Sequence, residues 1–402
     1  MVVAFLLSEA AYRIDRSIED DGSSWFLFAG GTDSARALVS TIATSMLTFT
    51  GLVFSVTMLV LQLASNQLSP RVMRTFLRDR SNQVVFGVFV GTFLYALATL
   101  RRITAEADSE PFIPALSVWL ALAFVLVCIG LFIYYIDHIA NAIKPVSVMA
   151  RVSKETHGAI DRLYPDGIGE DTPVAREPRD RQVSAVILAP GSGVVTGVDE
   201  GQIAELAARS GCMIMLQAHV GDFVRQGSPL FAIHGDWNGD GGQLQRVISL
   251  GWERTMHQDA AFGLQQLVDI ALRALSPGIN DPTTAVQALD HLHDLLGRLA
   301  TRAIPSPYRD MGGEAGAVLP RLAWADYVNL ACDDIRRAGH GQLQIQRRMR
   351  AMLADLLAVA PPSRHDPLEE QLSMLDTELE KAFGPLERLR AATPSAQGQG
   401  PA

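Results

Sequence analysis

Lysine is nearly missing from this chain: Lys144, Lys154 and Lys381 are its only three in 402 residues. Cysteine is as scarce. Cys128, Cys212 and Cys332 lie far apart with no CxxC spacing, which excludes a disulfide framework and a zinc cluster. Charge of either sign is thin, at 19% of residues, where soluble domains sit near about a quarter. With a net charge of −9, the chain lacks the basic face a nucleic-acid binder needs, so nucleic acid is not an expected partner. No nucleophile elbow, P-loop, zincin motif or dinucleotide fingerprint occurs. We therefore expect no catalytic residue, no metal and no cofactor.

What fills the space is apolar sequence. Between Ala37 and Leu68 no side chain ionises. That run exceeds the roughly 20 residues that a bilayer core of about 30 Å requires. Val84–Leu100 and Phe112–Ile136 are two further uncharged runs. The lipid bilayer is thus the first expected partner. The opening "MVVAFLLSEAAYRI" carries about seven apolar residues before Ser8 and Glu9, too few to span. It lacks the basic start and small-residue cleavage site of a signal peptide, and reads as the tail of a helix.

Arginine sets the orientation. Arg71, Arg74, Arg78 and Arg80 follow the first run against Asp79 alone, whereas Arg101 and Arg102 are met by Glu106, Asp108 and Glu110. The positive-inside rule puts the first of these loops in the cytosol. Two more crossings return the chain there before Lys144, Arg151 and Lys154. The expected location is a bacterial inner membrane, with the C-terminal part cytoplasmic.

Inside the runs, Thr41, Ser45, Thr48, Ser55, Gln62 and Asn66 fall at offsets of 4, 7, 14, 21 and 25, one stripe of a helix. Hydroxyls and amides favour protein or water over hydrocarbon, so the stripe is expected to face inward. It is a candidate pore lining; polar contact between helices explains it equally well. Gly87 and Gly91 form a G-x-x-x-G pair for close helix packing, within the chain or between copies of a homo-oligomer.

After a polar linker, short β-branched runs bounded by Gly and Pro read as strands, with one short helix ending at Gly211. "AHVGDFVRQGSPLFAI" resembles the repeated turn of biotinyl- and lipoyl-type barrel-sandwich modules, but no lysine stands there to carry a cofactor. From Gln245 onward the pattern reads helical, broken by a Pro/Gly-rich loop from Ile304 to Pro320. The fold class expected is a multi-pass α-helical membrane domain followed by a cytoplasmic α+β region, a small β barrel-sandwich-like module plus a helical domain. Its expected divisions are 1–33, a partial first helix and periplasmic segment; 34–140, membrane; 141–182, connecting helix and linker; 183–240, β-module; 241–392, helical; and 393–402, a disordered tail.

One stretch, "RALSPGINDPTTA", interrupts the helical pattern with Ser276, Pro277, Gly278, Asn280, Asp281 and Pro282. Gly278 is suited to positive φ, Asp281 to a helix N-cap and Pro282 to the first helical position. A turn accounts for the stretch; an anion held at the helix start is the functional alternative. Nearby "DHLHD" offers Asp290, His291, His293 and Asp294, yet histidines two apart point to different faces. "DIALRALSPGINDPTTA", together with "FSVTMLVLQLASNQLSPRVMRTFLRDR", "GVFVGTFLYALATL" and "YYIDHIANAI", resembles a bacterial family of predicted membrane proteins known as domain of unknown function 2254. The resemblance runs roughly from Ser34 to Ala382 and implies a complete first membrane helix, with no established activity. The function expected is a homo-oligomeric ion channel or transport-like assembly with a cytoplasmic gating or sensing domain, its ion or ligand unspecified. The alternative is a non-transporting membrane scaffold or sensor.

Overall fold

The computed structural model describes residues 2–20, 31–67, 80–103, 113–142, 144–168, 182–237, 239–310 and 315–385. The arginine-rich loop through Arg78, the acidic segment of Glu106, Asp108 and Glu110, most of the linker and the tail from Thr393 lie outside these residues. The chain divides into two compact units, Met1–Ser147 and Val148–Ala402.

Among its described residues the first unit holds four full helices: α1 (Val2–Asp20), α2 (Thr32–Gln67), α3 (Arg80–Leu100) and α4 (Ala115–Ala142). Three are long and apolar enough to cross a membrane, over Thr32–Gln62, Gln83–Leu100 and Ala115–Asn141. α3 packs against each of the other three. The interior is apolar and aromatic: Val39, Ile42, Met46, Val53, Phe89, Tyr95 and Tyr135 are buried. Phe49 meets Phe132 edge-on at 5.3 Å and Tyr95 meets Phe124 at 5.1 Å, the arrangement that ring quadrupoles favour. Gly91 lies where a Cβ would sit 3.9 Å from that of Ala4 on α1, so this half of the G-x-x-x-G pair serves packing inside the chain. Among the described residues, none beyond its own helix backbone and chain neighbours would come within 4 Å of a Cβ at Gly87.

The second unit holds most of α5 (Pro145–Leu163), then β1 (Val183–Leu188), β2 (Gly193–Val198), α6 (Glu200–Ser210), β3 (Met213–Leu216), β4 (Phe223–Val224), β5 (Pro229–His234), α7 (Gly241–Arg246) and β6 (Ile248–Gly251). After these come α8 (Ala260–Leu275), α9 (Pro282–Ala300), β7 (Tyr308–Asp310), β8 (Ala315–Val318), α10 (Trp324–Ala338), α11 (Leu343–Val359) and α12 (His365–Ala382). Five strands form one sheet in the order β1-β5-β3-β8-β7, and three form another, β4-β2-β6. All pairings are antiparallel except β3 with β8. Val195, Ile203, Leu230, Phe231, Ile233 and Leu244 are fully buried in the core they share.

Two expectations change here. The stretch from Gln245 is not helical throughout. β6 intervenes, because Ile248 pairs with Val198 on β2, and bends and a turn follow it until Asp259 caps α8. The Pro/Gly-rich stretch after Ile304 also supplies two strands: β8 finds a partner in β3, far away in sequence, and β7 pairs with β8. Such pairings leave little local signature.

The helices follow their sequence signals closely. Asp199 caps α6 by accepting from Gln202 N at 3.0 Å, and Gly211 ends it at φ 62, the left-handed conformation glycine adopts without a Cβ penalty. Leu289, Leu292, Leu295, Leu296 and Leu299 bury one stripe of α9 completely, each worth about 1.5–3 kcal/mol. At its far end Arg364 donates to Leu299 O and, at 2.6 Å, to Arg302 O. It thereby satisfies carbonyls that the end of a helix leaves free. Gly263 on α8 allows α5 through: a Cβ there would stand 1.9 Å from Thr156 Oγ1.

Candidate functional site

The polar stripe lies on the face of α2 that the first unit's own helices leave uncovered. Ala35, Val39, Ile42, Met46, Val53 and Val60 point to the interior; Thr41, Thr48, Ser55 and Gln62 are exposed and Ser45 is half-buried. The helix continues through Asn66, whose side chain lies outside the described residues. Two rows at seven-residue spacing make up the stripe. Thr41, Thr48, Ser55 and Gln62 form a row that is polar throughout. Its neighbour runs Ser45, Leu52, Leu59, Asn66, with two exposed leucines at its middle. The hydroxyls are already engaged: Thr41 Oγ1 donates to Ala37 O at 2.8 Å, Thr48 Oγ1 to Thr44 O at 3.1 Å and Ser55 Oγ to Gly51 O at 2.9 Å. Back-bonding of this kind lowers the cost of facing lipid. The uncovered face of α4 is different. From Trp119 to Ile136 its exposed residues include Leu126, Val127, Ile129 and Ile133, with the Trp119 indole and the Tyr134 hydroxyl its polar groups.

α1 is no long apolar run, yet it carries a buried face of its own. Ala4, Ser8, Ala11 and Asp15 are buried along one face, and small residues at three- and four-residue spacing were the available signal. Arg102, just past α3, donates to Glu9 Oε2 at 2.7 Å, to Ser8 Oγ at 3.2 Å and to the Ser8 carbonyl, and stacks 4.7 Å from the Tyr12 ring centroid. Asp15 accepts from Leu116 N at 2.7 Å, and from Ser117 N and Ser117 Oγ at 3.0 and 2.6 Å. It therefore caps α4 from a different helix. Arg36 Nη2 donates to Ile103 O at 2.9 Å. A belt of charge thus closes one end of the bundle.

In the second unit the SPGINDP stretch is the turn between α8 and α9, and both prolines act on the residue before them. Ser276, held extended at φ −61 and ψ 145, ends α8; Asp281, at φ −112 and ψ 83, starts α9. A following proline disfavours the helical region at each. Asp281 caps α9 through Thr284 N at 3.1 Å and Thr284 Oγ1 at 2.6 Å, with Pro282 in the first turn. The positive φ belongs to Asn280, at 48°, rather than to Gly278. Asparagine tolerates this region because its short polar side chain bonds locally, and here Asn280 Oδ1 accepts from Gln342 Nε2 at 3.1 Å. Asp281 N donates back to Ala274 O at 2.8 Å. Pro277, Gly278, Ile279 and Asn280 are exposed.

A buried polar cluster stands elsewhere in this unit. Asp259 caps α8 through Phe262 N at 3.0 Å and pairs with Arg254 Nε and Nη2, both at 2.8 Å. Burial pushes its carboxyl above the ordinary range, and Arg254 only partly offsets that. Gly221, at φ 100 in the Gly-Asp turn, makes the room: a Cβ there would lie 2.6 Å from Asp259 Oδ2. Tyr164 and Tyr327 join hydroxyls at 2.7 Å, and burial raises both phenols. Arg321 Nη2 donates to Glu200 at 2.6 Å. Every one of these contacts is made within the unit, so the cluster reads as packing. Among the described residues no group of three or more His, Cys, Asp or Glu is placed to hold a metal ion.

Comparison with known proteins now bears on the whole chain. It is 38% identical over 369 residues to an uncharacterized protein of Mycobacterium bovis and, at the same figures, to one of Mycobacterium tuberculosis. Each alignment covers 89% of this chain and 70% of the relative. No solved structure matches. The model of one family, described as "predicted membrane protein (DUF2254)", matches residues 1–355, from α1 through most of α11. The three apolar helices, the charged first helix beside them and the SPGINDP turn are thus features of a chain that belongs to the DUF2254 family of predicted membrane proteins.

Proposed function

We propose that the protein is a multi-pass protein of the bacterial inner membrane that assembles from several copies into a channel-like or transport-like pathway, with its second unit in the cytoplasm as a gate or sensor. The observation that carries this reading is the contrast between two uncovered faces of one bundle. The α4 face is apolar, as lipid demands, whereas the α2 face carries an unbroken polar row at seven-residue spacing. A heptad row is what two helices share when they wind left-handed about each other, so copies of α2 would meet there. The arginines after the first apolar run support the orientation. The β-part fits a barrel-sandwich-like module used for contact rather than as a carrier, since no lysine stands in it.

One observation favours a second reading, a membrane scaffold or sensor that conducts nothing. The hydroxyls of Thr41, Thr48 and Ser55 bond to their own helix, and Leu52 and Leu59 sit beside them. Native mass spectrometry of the detergent-extracted protein, followed by planar-bilayer recording, separates the two. Ring-like oligomers whose discrete conductance is lost in Thr48→Leu establish a pathway. A folded protein that stays silent under varied ions, pH and tension, and tolerates Thr48→Leu, establishes the scaffold.

A further inference from the structure

The DHLHD motif divides its side chains between two neighbours of α9. Towards α5, His157 Nε2 lies 3.0 Å from Asp294 Oδ2, and His291 stands near Asp290, Asp294 and His157. Towards α11, Arg348 Nη2 donates to His293 Nδ1 at 3.0 Å, and Arg348 Nε donates to Asp290 Oδ1. His293 Nε2 lies 2.8 Å from Asp355 Oδ2. The donors and acceptors admit one assignment. Arginine has only N–H to offer, so His293 Nδ1 accepts, and the ring's single proton sits on Nε2 and goes to Asp355. The chain Asp290–Arg348–His293–Asp355 therefore requires a neutral imidazole. Arg348 is buried, so it has little water to turn to.

A second proton on His293 would set an N–H against the Arg348 N–H, cation against cation. A second polar tie between these helices does not titrate: Gln342, which precedes α11, holds Asn280 in the turn that starts α9, and Ile345, Met349, Met352, Leu353 and Leu356 bury the apolar face of α11. We propose that α11 is a pH-responsive arm, clasped to α9 at neutral pH through His293 and loosened by its protonation, while the Gln342–Asn280 contact and the buried apolar face keep it packed. The charged groups facing His293 are Asp290 on its own helix and Arg348 and Asp355 on α11; His291 and Asp294 serve the α5 side. Burial and then Arg348 hold the His293 ring below its ordinary pKa, against Asp355 and Asp290. The clasped state consequently refuses a proton that the loosened state accepts below about pH 6.5. The clasp is at full strength above that value and weakens as pH falls, about tenfold per unit, until the clasped ring is itself protonated. This arm goes beyond the channel reading and is independent of it.

Hydrogen–deuterium exchange of the full-length protein in detergent, at pH 7.5 and 5.5 and corrected for intrinsic rates, tests the arm. In wild type the α11 amides should lose protection on acidification, by up to about tenfold over the unit between pH 6.5 and 5.5. His293→Gln should abolish the change, because a carboxamide accepts from Arg348 and donates to Asp355 without titrating. Equal α11 protection at both pH values in wild type, or an undiminished response in His293→Gln, overturns the proposal. Asp355→Asn is the second variant: it still accepts from Nε2 but no longer favours the imidazolium in the clasped state, so the loss of protection should continue to lower pH before it levels off. A loss that levels off at the same pH as in wild type also overturns the proposal.

Discussion

Each unit of this protein buries an aspartate at the start of a helix, and the two do it differently. Asp259 is the residue before the helix it caps, and takes Arg254 as a counter-charge. Asp15 lies on α1 and caps α4, roughly a hundred residues further on, taking two backbone N–H groups and a hydroxyl. The need is common to both, since the first N–H groups of any helix have no partner within it. The means differ with the surroundings. The second unit uses local sequence, where a cap forms as the helix forms. The first unit closes one end of its bundle, where water is excluded, with a carboxylate from another helix, so the cap can exist only once the bundle has assembled.

The largest effect expected from breaking this comparison is at Asp259. Asp259→Ala removes the cap and leaves Arg254 without its carboxylate, at a cost of about 3 kcal/mol to the second unit. Alkylation of Cys332 is a convenient readout, because its buried thiol is pushed up to about 12 and stays unreactive until the unit unfolds. The same site has a pH signature. A folded carboxyl raised above its unfolded value binds its proton more tightly in the fold, so the stability it contributes is present at low pH. That contribution is lost as pH rises from about 4 through the folded pKa, the reverse of an ordinary salt-bridged aspartate. Asp259→Asn should lack that slope. A wild-type curve without it would mean that Arg254 outweighs burial.

Asp15 comes next. Asp15→Ala strands the N–H groups of Leu116 and Ser117 and should cost the first unit about 1–3 kcal/mol, read as lower thermal stability in lipid nanodiscs. The second unit should be untouched, with Cys332 labelling as in wild type. If Asp15→Ala were silent, water would be reaching the start of α4, and the contrast between the units would collapse.

The same contrast explains what could be read from the chain alone. The apolar runs announce three helices long and apolar enough to cross a membrane, and Asp199, Gly211 and Asp281 announce helix ends because caps are local. What stayed hidden depends on distant partners. β6 and β8 are short strands made by pairing with β2 and β3, and β7 in turn pairs with β8. α1 is too charged to signal a span, yet Glu9 and Asp15 find Arg102 and the start of α4. Asn280 takes the left-handed turn expected of Gly278 because Gln342 arrives to bond it. The polar stripe was visible as a period, but not its division into one unbroken row and one interrupted by Leu52 and Leu59.

The smallest effect separates a turn from a site. Asp281 caps α9 as Asp259 caps α8, but only half-buried. Asp281→Ala should therefore cost about 1 kcal/mol, and Asp281→Ser, which keeps an acceptor for Thr284 N, only a few tenths. If the loop is a turn and nothing more, Asp281→Ser should also leave conductance, or partner binding in a scaffold, as in wild type. If the carboxylate binds something, Asp281→Ser would keep the fold and lose the activity. That outcome would be decisive, because the two prolines already hold Ser276 and Asp281 in place, and a turn so constrained has no further use for a charge.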